Sequence, residues 1–359
     1  MNRAFLIFAL FLMVVPVSHA SDLVWADAAG YAVEGRALAD RVADWDRLPA
    51  EARGVVRDPV WDLSRHSAGI AVRFITDSTS LGVRWKLISS KLAMPHMAST
   101  GVSGVDLYVK VDGRWRWVAC GVPEGIETTR ILASGLPLES REWMLYLPLY
   151  NGVESVEIGV DEGASIEPAT SRGKPVVFYG TSITQGACAS RPGMSHVAIL
   201  GRRFDRPVVN LGFSGNGRME PEVGRFVAEI DASVFVIDCL PNLDGRTVAE
   251  RTIPLVTAIR DRRPGIPIVL VEDRTYADAP FSASRSRRNT ENREALRQAW
   301  TKMTDAGMED IHLVDGATML GEDGEATVDG SHPTDLGFAR QADALEPIIR
   351  QCLEEGSTR

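Results

Sequence analysis

The sequence predicts an α/β protein with two domains, an antiparallel β-sandwich followed by a three-layer α/β/α domain around a five-stranded parallel sheet. Short alternating runs separated by turn residues fill residues 21–165, and strands and helices alternate over residues 174–353. The stretch Glu162–Pro175 between them is rich in Gly, Ser, Pro and Ala, which is typical of a linker. Alternating strands and helices indicate a parallel sheet with helices on both faces.

Composition and charge narrow the class of function. The 359 residues carry a net charge of -9 and no basic stripe, which argues against a nucleic-acid partner. Hydrophobic residues make up 45% of the chain, so a core can form and disorder is not expected. The sequence makes no prediction of the oligomeric state.

Residues 1–20 have the layout of a signal peptide. Arg3 precedes an apolar run from Ala4 to Val17, and small residues surround the end of the segment at Ala20. The run is too short for a permanent membrane span, and no other stretch is long and apolar enough for one. We therefore expect an exported protein, periplasmic or secreted, without a membrane partner.

The four cysteines do not have the spacing of a metal site. Cys120, Cys188, Cys239 and Cys352 are far apart in the sequence, so we expect separate buried thiols, and the sequence leaves any disulfide pairing open. We expect neither a metal nor a cofactor.

Period-two alternation dominates the first domain. It predicts strands at Ile70–Phe74, Val83–Leu87, Val105–Val111, Arg114–Val118 and Val156–Val160. Asp112-Gly113 stands between the third and fourth of these runs, which is a strong hairpin signal. One helix is expected early, around Ala37–Asp44.

The second domain is expected to contain five strands with helices between them. The strands are predicted at Val176–Tyr179, Pro207–Leu211, Val234–Asp238, Pro267–Glu272 and Ile311–Val314. Helical spacing of apolar residues predicts a helix over Arg293–Met303, and the last helix is expected over Gly337–Cys352.

A serine follows the first strand of this domain directly. The apolar run ends in Gly180-Thr181-Ser182, where Gly180 permits a tight turn and Ser182 begins a helix. Asn210–Gly217, Asp238–Asn242 and Asp329–Pro333 are expected at the same edge of the sheet, where ligands bind in open parallel sheets. This edge would unite a serine, a glycine-rich turn, an asparagine and a histidine, the groups that acyl transfer requires.

The spacing of Asp329 and His332 has a specific chemical use. A carboxylate three residues before an imidazole, on one turn, can accept the Nδ1–H and fix the tautomer. Nε2 is then free to take a proton from a serine.

Two other enzyme classes are disfavoured by spacing. Thr184 stands where the nucleophile turn of an α/β-hydrolase has its second glycine. The glycines from Gly212 to Gly217 do not have the spacing of a dinucleotide-binding turn.

Taken together, these residues resemble the four blocks of the SGNH (GDSL-type) hydrolases, over roughly residues 174–353. The resemblance implies Ser182 as nucleophile, His332 as base and Asp329 as the residue that orients it. It also implies an oxyanion hole formed by the backbone N–H groups of Ser182 and Gly215 and the side chain of Asn242. Thr181 stands where the name-giving motif has Asp, a departure that does not touch these roles.

A second resemblance lies in the first domain. Gly104-Val105-Asp106-Leu107-Tyr108 is similar to the GxDLY signature of the β-domain that precedes some bacterial SGNH hydrolases. Enzymes with this layout, a jelly-roll followed by an SGNH domain, are similar to carbohydrate esterases that remove acetyl groups. The resemblance thus implies a serine esterase acting on short-chain esters, with an O-acetylated carbohydrate or another small ester as substrate.

Two alternative functions stay open. One is a lipase or arylesterase of the same fold with a preference for longer acyl groups. The other is a non-catalytic glycan-binding protein that uses Trp115 and Trp117 as a sugar platform, although we expect these two side chains to pack the sandwich. Two further segments are candidates for the pocket wall, the long polar stretch Arg274–Arg288, which we expect to be an arginine-rich loop, and the loop Lys91–Met97 with its histidine and two methionines.

Overall fold

The computed structural model describes residues 22–357, so the predicted signal peptide lies outside the described residues. Ten strands form the first part of the chain. They are β1 Leu23–Asp27, β2 Ala32–Glu34, β3 Ala71–Thr76, β4 Leu81–Leu87, β5 Val105–Val111, β6 Arg114–Gly121, β7 Glu127–Ala133, β8 Arg141–Tyr146, β9 Val153–Asp161 and β10 Ile166–Pro168.

These strands form two antiparallel sheets that face each other. One sheet has the order β1-β9-β4-β7, and the other has the order β10-β3-β8-β5-β6 with β2 added beside β3. Apolar side chains from both sheets form one core, in which Phe74, Trp85 and Trp143 are among the largest buried side chains. The alternation in the sequence reflects this arrangement, because one face of each strand points into the core.

The hairpin predicted at Asp112-Gly113 is confirmed. Asp112 and Gly113 have φ values of 50° and 73°, and they join β5 to β6 in antiparallel register. Two residues with positive φ twist a hairpin in the sense that its strands require, which explains the preference for Asp-Gly.

The second part of the chain contains the predicted parallel sheet. Its strands are β11 Val176–Gly180, β12 Val208–Gly212, β13 Val234–Asp238, β14 Ile268–Val271 and β15 Ile311–Val314. All neighbouring pairs are parallel, in the order β12-β11-β13-β14-β15. The strand β11 therefore has β12 on one side and β13 on the other.

Helices cover both faces of this sheet. The eight α-helices of the described chain are α1 Asp58–Ser64, α2 Ser99–Val102, α3 Ser182–Gln185, α4 His196–Phe204, α5 Pro221–Glu229, α6 Gly245–Arg262, α7 Ala283–Asp305 and α8 Asp335–Ser357. Side chains of α5, α6 and α7 share one apolar cluster with the sheet, and those of α4 and α8 share the cluster on the other face. The predicted three-layer α/β/α architecture is confirmed.

Three local predictions are wrong. No helix forms over Ala37–Asp44, because Asp40 adopts a left-handed conformation with φ 53°, which a right-handed helix does not tolerate. The segment Glu162–Pro175 is not only a linker, since β10 lies within it and pairs with β3. The polar segment Arg274–Arg288 is a loop only in its first part, because α7 begins at Ala283.

The GxDLY signature joins the two parts of the chain. The buried carboxylate of Asp106 accepts hydrogen bonds from Arg191 at 2.6 Å, from the backbone N–H of Gly193 at 2.8 Å and from the indole N–H of Trp117 at 2.8 Å. The hydroxyl of Tyr108 contacts the same guanidinium at 2.6 Å. The signature therefore holds the segment that leads from the serine turn into α4.

Two further features concern the whole described chain. None of the helices between residues 22 and 357 combines the length and the apolar character that a membrane span requires. Cys120, Cys188, Cys239 and Cys352 are separate free thiols, as predicted, but only Cys239 and Cys352 are buried.

Candidate active site

Ser182 stands at the carboxyl end of the central strand β11. Thr181 caps the short helix α3, with its hydroxyl oxygen accepting the N–H of Ile183 at 3.3 Å. A Cβ at Gly180 would collide with the hydroxyl of Thr184 and lie 2.6 Å from the carbonyl oxygen of Asp238, so only glycine fits there. This turn presents Ser182 with 7% of its surface exposed.

The structure brings Ser182, His332 and Asp329 into one hydrogen-bonded chain. Ser182 Oγ lies 2.8 Å from His332 Nε2, and His332 Nδ1 lies 2.7 Å from Asp329 Oδ2. An ionised carboxylate can only accept a hydrogen bond, so Nδ1 must carry the ring proton. Nε2 is then free to accept the hydrogen bond of the serine hydroxyl. This is the arrangement in which a serine becomes a nucleophile.

Asp329 stays ionised in this setting. Burial by itself would raise the pKa of Asp329, but hydrogen bonds from the backbone N–H and the ring of His332, together with the imidazole charge and the N–H of Ser331, lower it to about 2. The backbone donors lie 2.8 Å and 3.1 Å from Oδ1. The carboxylate is therefore available as an acceptor at any pH near neutrality.

The loop that carries Asp329 and His332 is supported by the segment after β14. The N–H of Ala277 donates to the carbonyl of Gly330 at 2.9 Å, and Arg285 pairs with Asp278 beside that glycine. Within the loop, the N–H of Val328 donates to the carbonyl of His332 at 2.8 Å. Residues of the segment Arg274–Arg288, which was predicted to line the pocket, therefore support the loop of Asp329 and His332.

Gly215 and Asn242 follow the two strands that flank β11. Gly215 lies in the turn after β12 with φ 68°, and Asn242 lies in the short 3₁₀ turn after β13. Cβ atoms at Gly212 and Gly217 would collide with the backbone of Gln185 and Gly180, so the glycine-rich turn packs directly on the serine turn. The two predicted oxyanion residues therefore follow the strands on either side of β11, at the same edge of the sheet as Ser182.

The side chain of Asn242 is free to meet a ligand. Within the described part of the chain neither its Nδ2 amide nor its buried Oδ1 forms a hydrogen bond, so the N–H groups of Nδ2 are free to donate. Its position is nonetheless fixed, because Arg288 donates to the carbonyls of Pro241 and Leu243, each at 2.8 Å. Asn292 also donates to the carbonyl of Leu243, at 3.1 Å.

Sequence reasoning missed the residues of the first domain that hold the glycine-rich turn. The buried guanidinium of Arg47 donates to the carbonyls of Asn210 at 2.9 Å and Gly212 at 2.8 Å. Gln185 accepts the N–H of Ser214 at 3.0 Å, and its amide lies 3.1 Å from Nδ1 of His66. No local pattern announces these contacts, because the partners of Arg47 lie more than 160 positions further along the chain.

A thiol and a buried ion pair lie close to the serine turn, and neither supplies a nucleophile. Burial, with the charge of Asp329, raises the pKa of Cys188 to about 12, so this thiol does not compete as a nucleophile near neutral pH. Arg274 is buried and donates to the carboxylate of Asp238 at 2.5 Å. The same carboxylate oxygen accepts the hydroxyl of Thr184 at 3.2 Å, which ties α3 to β13.

We expected Trp115 and Trp117 to pack in the core of the sandwich, but they do not. The indole N–H of Trp115 donates to Asp205 at the end of α4 at 2.9 Å, and Trp117 lies under the guanidinium of Arg191 at 4.9 Å. Both side chains lie on the outer face of β6 and join the two parts of the chain.

One group of side chains in the described chain has the geometry to hold a metal ion. Oxygen and nitrogen atoms of Asp310, His312 and Glu355 all lie within 4.8 Å of one another. Asp310 immediately precedes β15, so this group lies at the amino end of the strand, the edge of the sheet opposite Ser182. It therefore has no part in the site.

Comparison with known proteins agrees with this geometry. Residues 173–350 match the model of the GDSL-like lipase/acylhydrolase family, and residues 23–166 match the model for the N-terminus of SGNH-hydrolase-type esterases. No protein with a curated description matches the sequence.

Several solved structures share the fold. A protein from Bacteroides ovatus described as a GDSL-like lipase is 32% identical, with a TM-score of 0.88, and the match covers 92% of this chain and 98% of that one. A salicylyl-acyltransferase from a tetracycline biosynthetic pathway is 20% identical, with a TM-score of 0.74 and coverage of 93% and 98%. A family two carbohydrate esterase from Clostridium thermocellum, solved with cellohexaose, is 15% identical, with a TM-score of 0.56 and coverage of 80% and 93%.

The similarities to the acyltransferase and to the carbohydrate esterase concern the fold alone. The match to the Bacteroides protein extends over nearly the whole of both chains, and both family models fall on the parts of the chain described above. The chain therefore belongs to the GDSL-like (SGNH) lipase/acylhydrolase family, in the form that carries a GxDLY N-terminal domain, and it is a serine ester hydrolase.

Proposed function

We propose that this hydrolase removes short acyl groups, acetyl above all, from the hydroxyl groups of carbohydrates through an acyl-enzyme on Ser182. The observation that carries the proposal is the chain of hydrogen bonds from Ser182 Oγ through His332 to Asp329, with distances of 2.8 Å and 2.7 Å. The polar surroundings of the serine argue for the substrate.

In the first step, Ser182 Oγ forms a bond to the acyl carbon while its proton passes to His332 Nε2. The carbonyl oxygen becomes an oxyanion, which the N–H groups of Ser182 and Gly215 and the amide of Asn242 receive. When the intermediate collapses, the bond between acyl carbon and alcohol oxygen breaks. The alcohol leaves with the proton held on Nε2.

In the second step, water replaces the alcohol. His332 Nε2 takes a proton from the water as the water oxygen bonds to the acyl carbon of the acyl-serine. Collapse of this second intermediate returns the proton to Ser182 Oγ and releases the carboxylic acid. Asp329 stays ionised throughout, orients the ring and stabilises the imidazolium that forms in each step.

The preference for a short acyl group follows from the surface around the serine. In the turn after β12 the accessible side chains are polar, while Phe213 and Met219 are buried. In the turn after β13, Leu240 and Leu243 are buried, and Pro241 and Asn242 are partly accessible. An alkyl chain gains about 0.8 kcal/mol per buried methylene only where apolar surface receives it, and these two turns offer little apolar surface.

A carbohydrate leaving group suits the same polar walls, since sugars are held mainly through hydrogen bonds. Fold neighbours named as carbohydrate esterases are in keeping with this proposal, although their likeness concerns the fold and the argument rests on the surface. We also propose that the protein is exported, on the strength of the signal-peptide layout in residues 1–20, where it would meet a polymer outside the cytoplasm.

The test is a chain-length series combined with a polymer. kcat/KM should fall from nitrophenyl acetate to butyrate, and octanoate should be inactive. Acetylated xylan should release acetate with the wild-type enzyme and not with Ser182→Ala. A rise in kcat/KM with chain length would overturn the proposal and favour the alternative of a lipase or arylesterase.

A further inference from the structure

The first domain places a second imidazole beside the catalytic base. The ring centroids of His96 and His332 lie 5.8 Å apart, with the ring planes inclined by 49°. Two sides of His332 are occupied, since Nε2 meets Ser182 and Nδ1 meets Asp329. His96 is exposed, so its imidazole is accessible to an incoming ligand.

The backbone holds His96 in place. Met94 and Met97 exchange two hydrogen bonds, N–H of each to the carbonyl of the other, at 3.0 Å and 3.1 Å. Pro95 and His96 are thus the two central residues of a tight turn, and Pro95 restricts its φ angle further. The turn presents the imidazole at its tip.

The turn is also anchored to the catalytic domain. Met97 is buried in the apolar cluster that contains Ile183, the residue after the nucleophile. Just beyond the turn, the hydroxyl of Thr100 donates to the carbonyl of Ser190 at 2.6 Å. Because both anchors lie in the catalytic domain, the position of His96 is fixed relative to Ser182 and His332.

The imidazole of His96 has hydrogen-bonding capacity to spare. Of the residues from 22 to 357, none forms a hydrogen bond with its ring nitrogens, and its side chain is accessible. A neutral imidazole carries one donor and one acceptor, which suits a hydroxyl group. This capacity can therefore be used by a substrate.

The chemistry of the first step fixes which part of a substrate reaches it. The leaving alcohol oxygen must come within about 3 Å of His332 Nε2 to take its proton. The ring centroid of His96 lies 5.8 Å from that of His332, so the imidazole of His96 is within reach of the polar group next to this oxygen on the leaving alcohol. In a sugar that group is the hydroxyl on the adjacent ring carbon.

We propose that His96 is a specificity-determining residue that hydrogen-bonds the hydroxyl vicinal to the esterified oxygen, so that the enzyme selects monoesters of vicinal diols. This inference rests on the proposed function and names the chemical class of its leaving group. It also assigns the first domain a direct role in substrate selection.

The test compares two acetates that differ in one hydroxyl, trans-2-hydroxycyclohexyl acetate and cyclohexyl acetate, with nitrophenyl acetate as a reference. The wild-type enzyme should prefer the hydroxylated ester by about tenfold in kcat/KM, which is the upper end of what one net hydrogen bond contributes. His96→Ala and His96→Phe should bring this ratio close to one, and His96→Gln should restore part of it. Any loss on nitrophenyl acetate and on cyclohexyl acetate, which lack the hydroxyl, should be smaller than the loss on the hydroxylated ester.

Lys91→Ala, which changes an exposed residue of the same loop, is the matched control and should keep the wild-type ratio. A ratio near one in the wild-type enzyme, or a ratio unchanged by His96→Ala, would overturn the inference. An equal loss on all three esters would overturn it too, since His96 would then act only by packing on His332. Failure of the proposed function is seen separately, as a lack of acetate release from acetylated xylan by an enzyme that still cleaves nitrophenyl acetate.

Discussion

Asp329 holds His332 through both of its carboxylate oxygens. Oδ2 lies 2.7 Å from Nδ1 of the ring, and Oδ1 accepts the backbone N–H of the same histidine at 2.8 Å. One side chain therefore fixes both the tautomer of the imidazole and the turn from which it projects.

This double contact predicts the effect of Asp329→Asn. The amide can present N–H to Nδ1 and favour the wrong tautomer, so kcat should fall by about 10²–10⁴-fold, a smaller loss than for His332→Ala. Steady-state kinetics with nitrophenyl acetate measures both variants. Equal losses in the two variants would assign the carboxylate a larger role than orientation.

The pH profile is predicted by the low pKa of Asp329. Its pKa of about 2 lies below the ordinary value of 3.8. The carboxylate is therefore ionised above pH 4, and its hold on the ring of His332 is lost only as the pH falls through about 2. Between pH 4 and 8 the acid limb of kcat/KM should therefore have the slope of no more than one proton. A slope of two protons in this range would show that Asp329 titrates there.

A third prediction concerns the support of Asn242. Asn242→Ala should lower kcat by about 10²–10³-fold with little change in KM, because an oxyanion donor acts mainly in the transition state. Arg288→Ala should lower kcat less, since Arg288 acts on the turn of Asn242 through the carbonyls of Pro241 and Leu243, while its other contact is with Tyr276. In the Asn242→Ala background the second substitution should cost almost nothing.

The neighbouring Arg287 is exposed on the same helix, so Arg287→Ala is the control and should keep wild-type kinetics. Fully additive losses in the double variant would show that Arg288 acts independently of Asn242.

A fourth prediction concerns stability in mild acid. Burial, together with the charge of Arg47, lowers the pKa of His66 to about 4, so the folded state keeps this ring neutral while the unfolded chain binds a proton near pH 6.5. The contribution of the neutral His66 ring to the free energy of unfolding is fully present above about pH 6.5 and is lost as the pH falls toward 4. The loss between these limits is about 2–3 kcal/mol.

Urea unfolding of the wild type and His66→Gln at pH 7 and pH 4.5 measures this contribution. The difference in unfolding free energy between the two pH values should be smaller in the variant. His196 is also buried and neutral, so some pH dependence should remain. An identical pH dependence in the two proteins would contradict the account of His66.

The sequence was sufficient to predict features that depend on residues close together in the chain. The strand ending at Gly180 and the spacing of Asp329 and His332 each lie within a few residues, so periodicity and turn chemistry were enough to find them. The same reasoning placed the five parallel strands within a residue or two of their observed ends. It failed over Ala37–Asp44, where the left-handed conformation of Asp40 overrides helical periodicity.

Long-range contacts could not be predicted in this way. Arg47 and His66 meet the glycine-rich and serine turns only after the two domains pack together. Arg288 was expected in a loop, but it lies on α7 and fixes the turn of Asn242. The loop Lys91–Met97 was a candidate by composition alone, and only the folded chain shows His96 beside His332.

The most direct test of the central claim is the turnover of Ser182→Ala with nitrophenyl acetate, measured beside its unfolding curve in urea. We predict a loss of kcat of about 10³-fold or more, with stability within about 1 kcal/mol of wild type, because the substitution removes only the nucleophile from a site that is otherwise intact. Turnover at the wild-type rate would contradict the assignment of Ser182 and, with it, the mechanism.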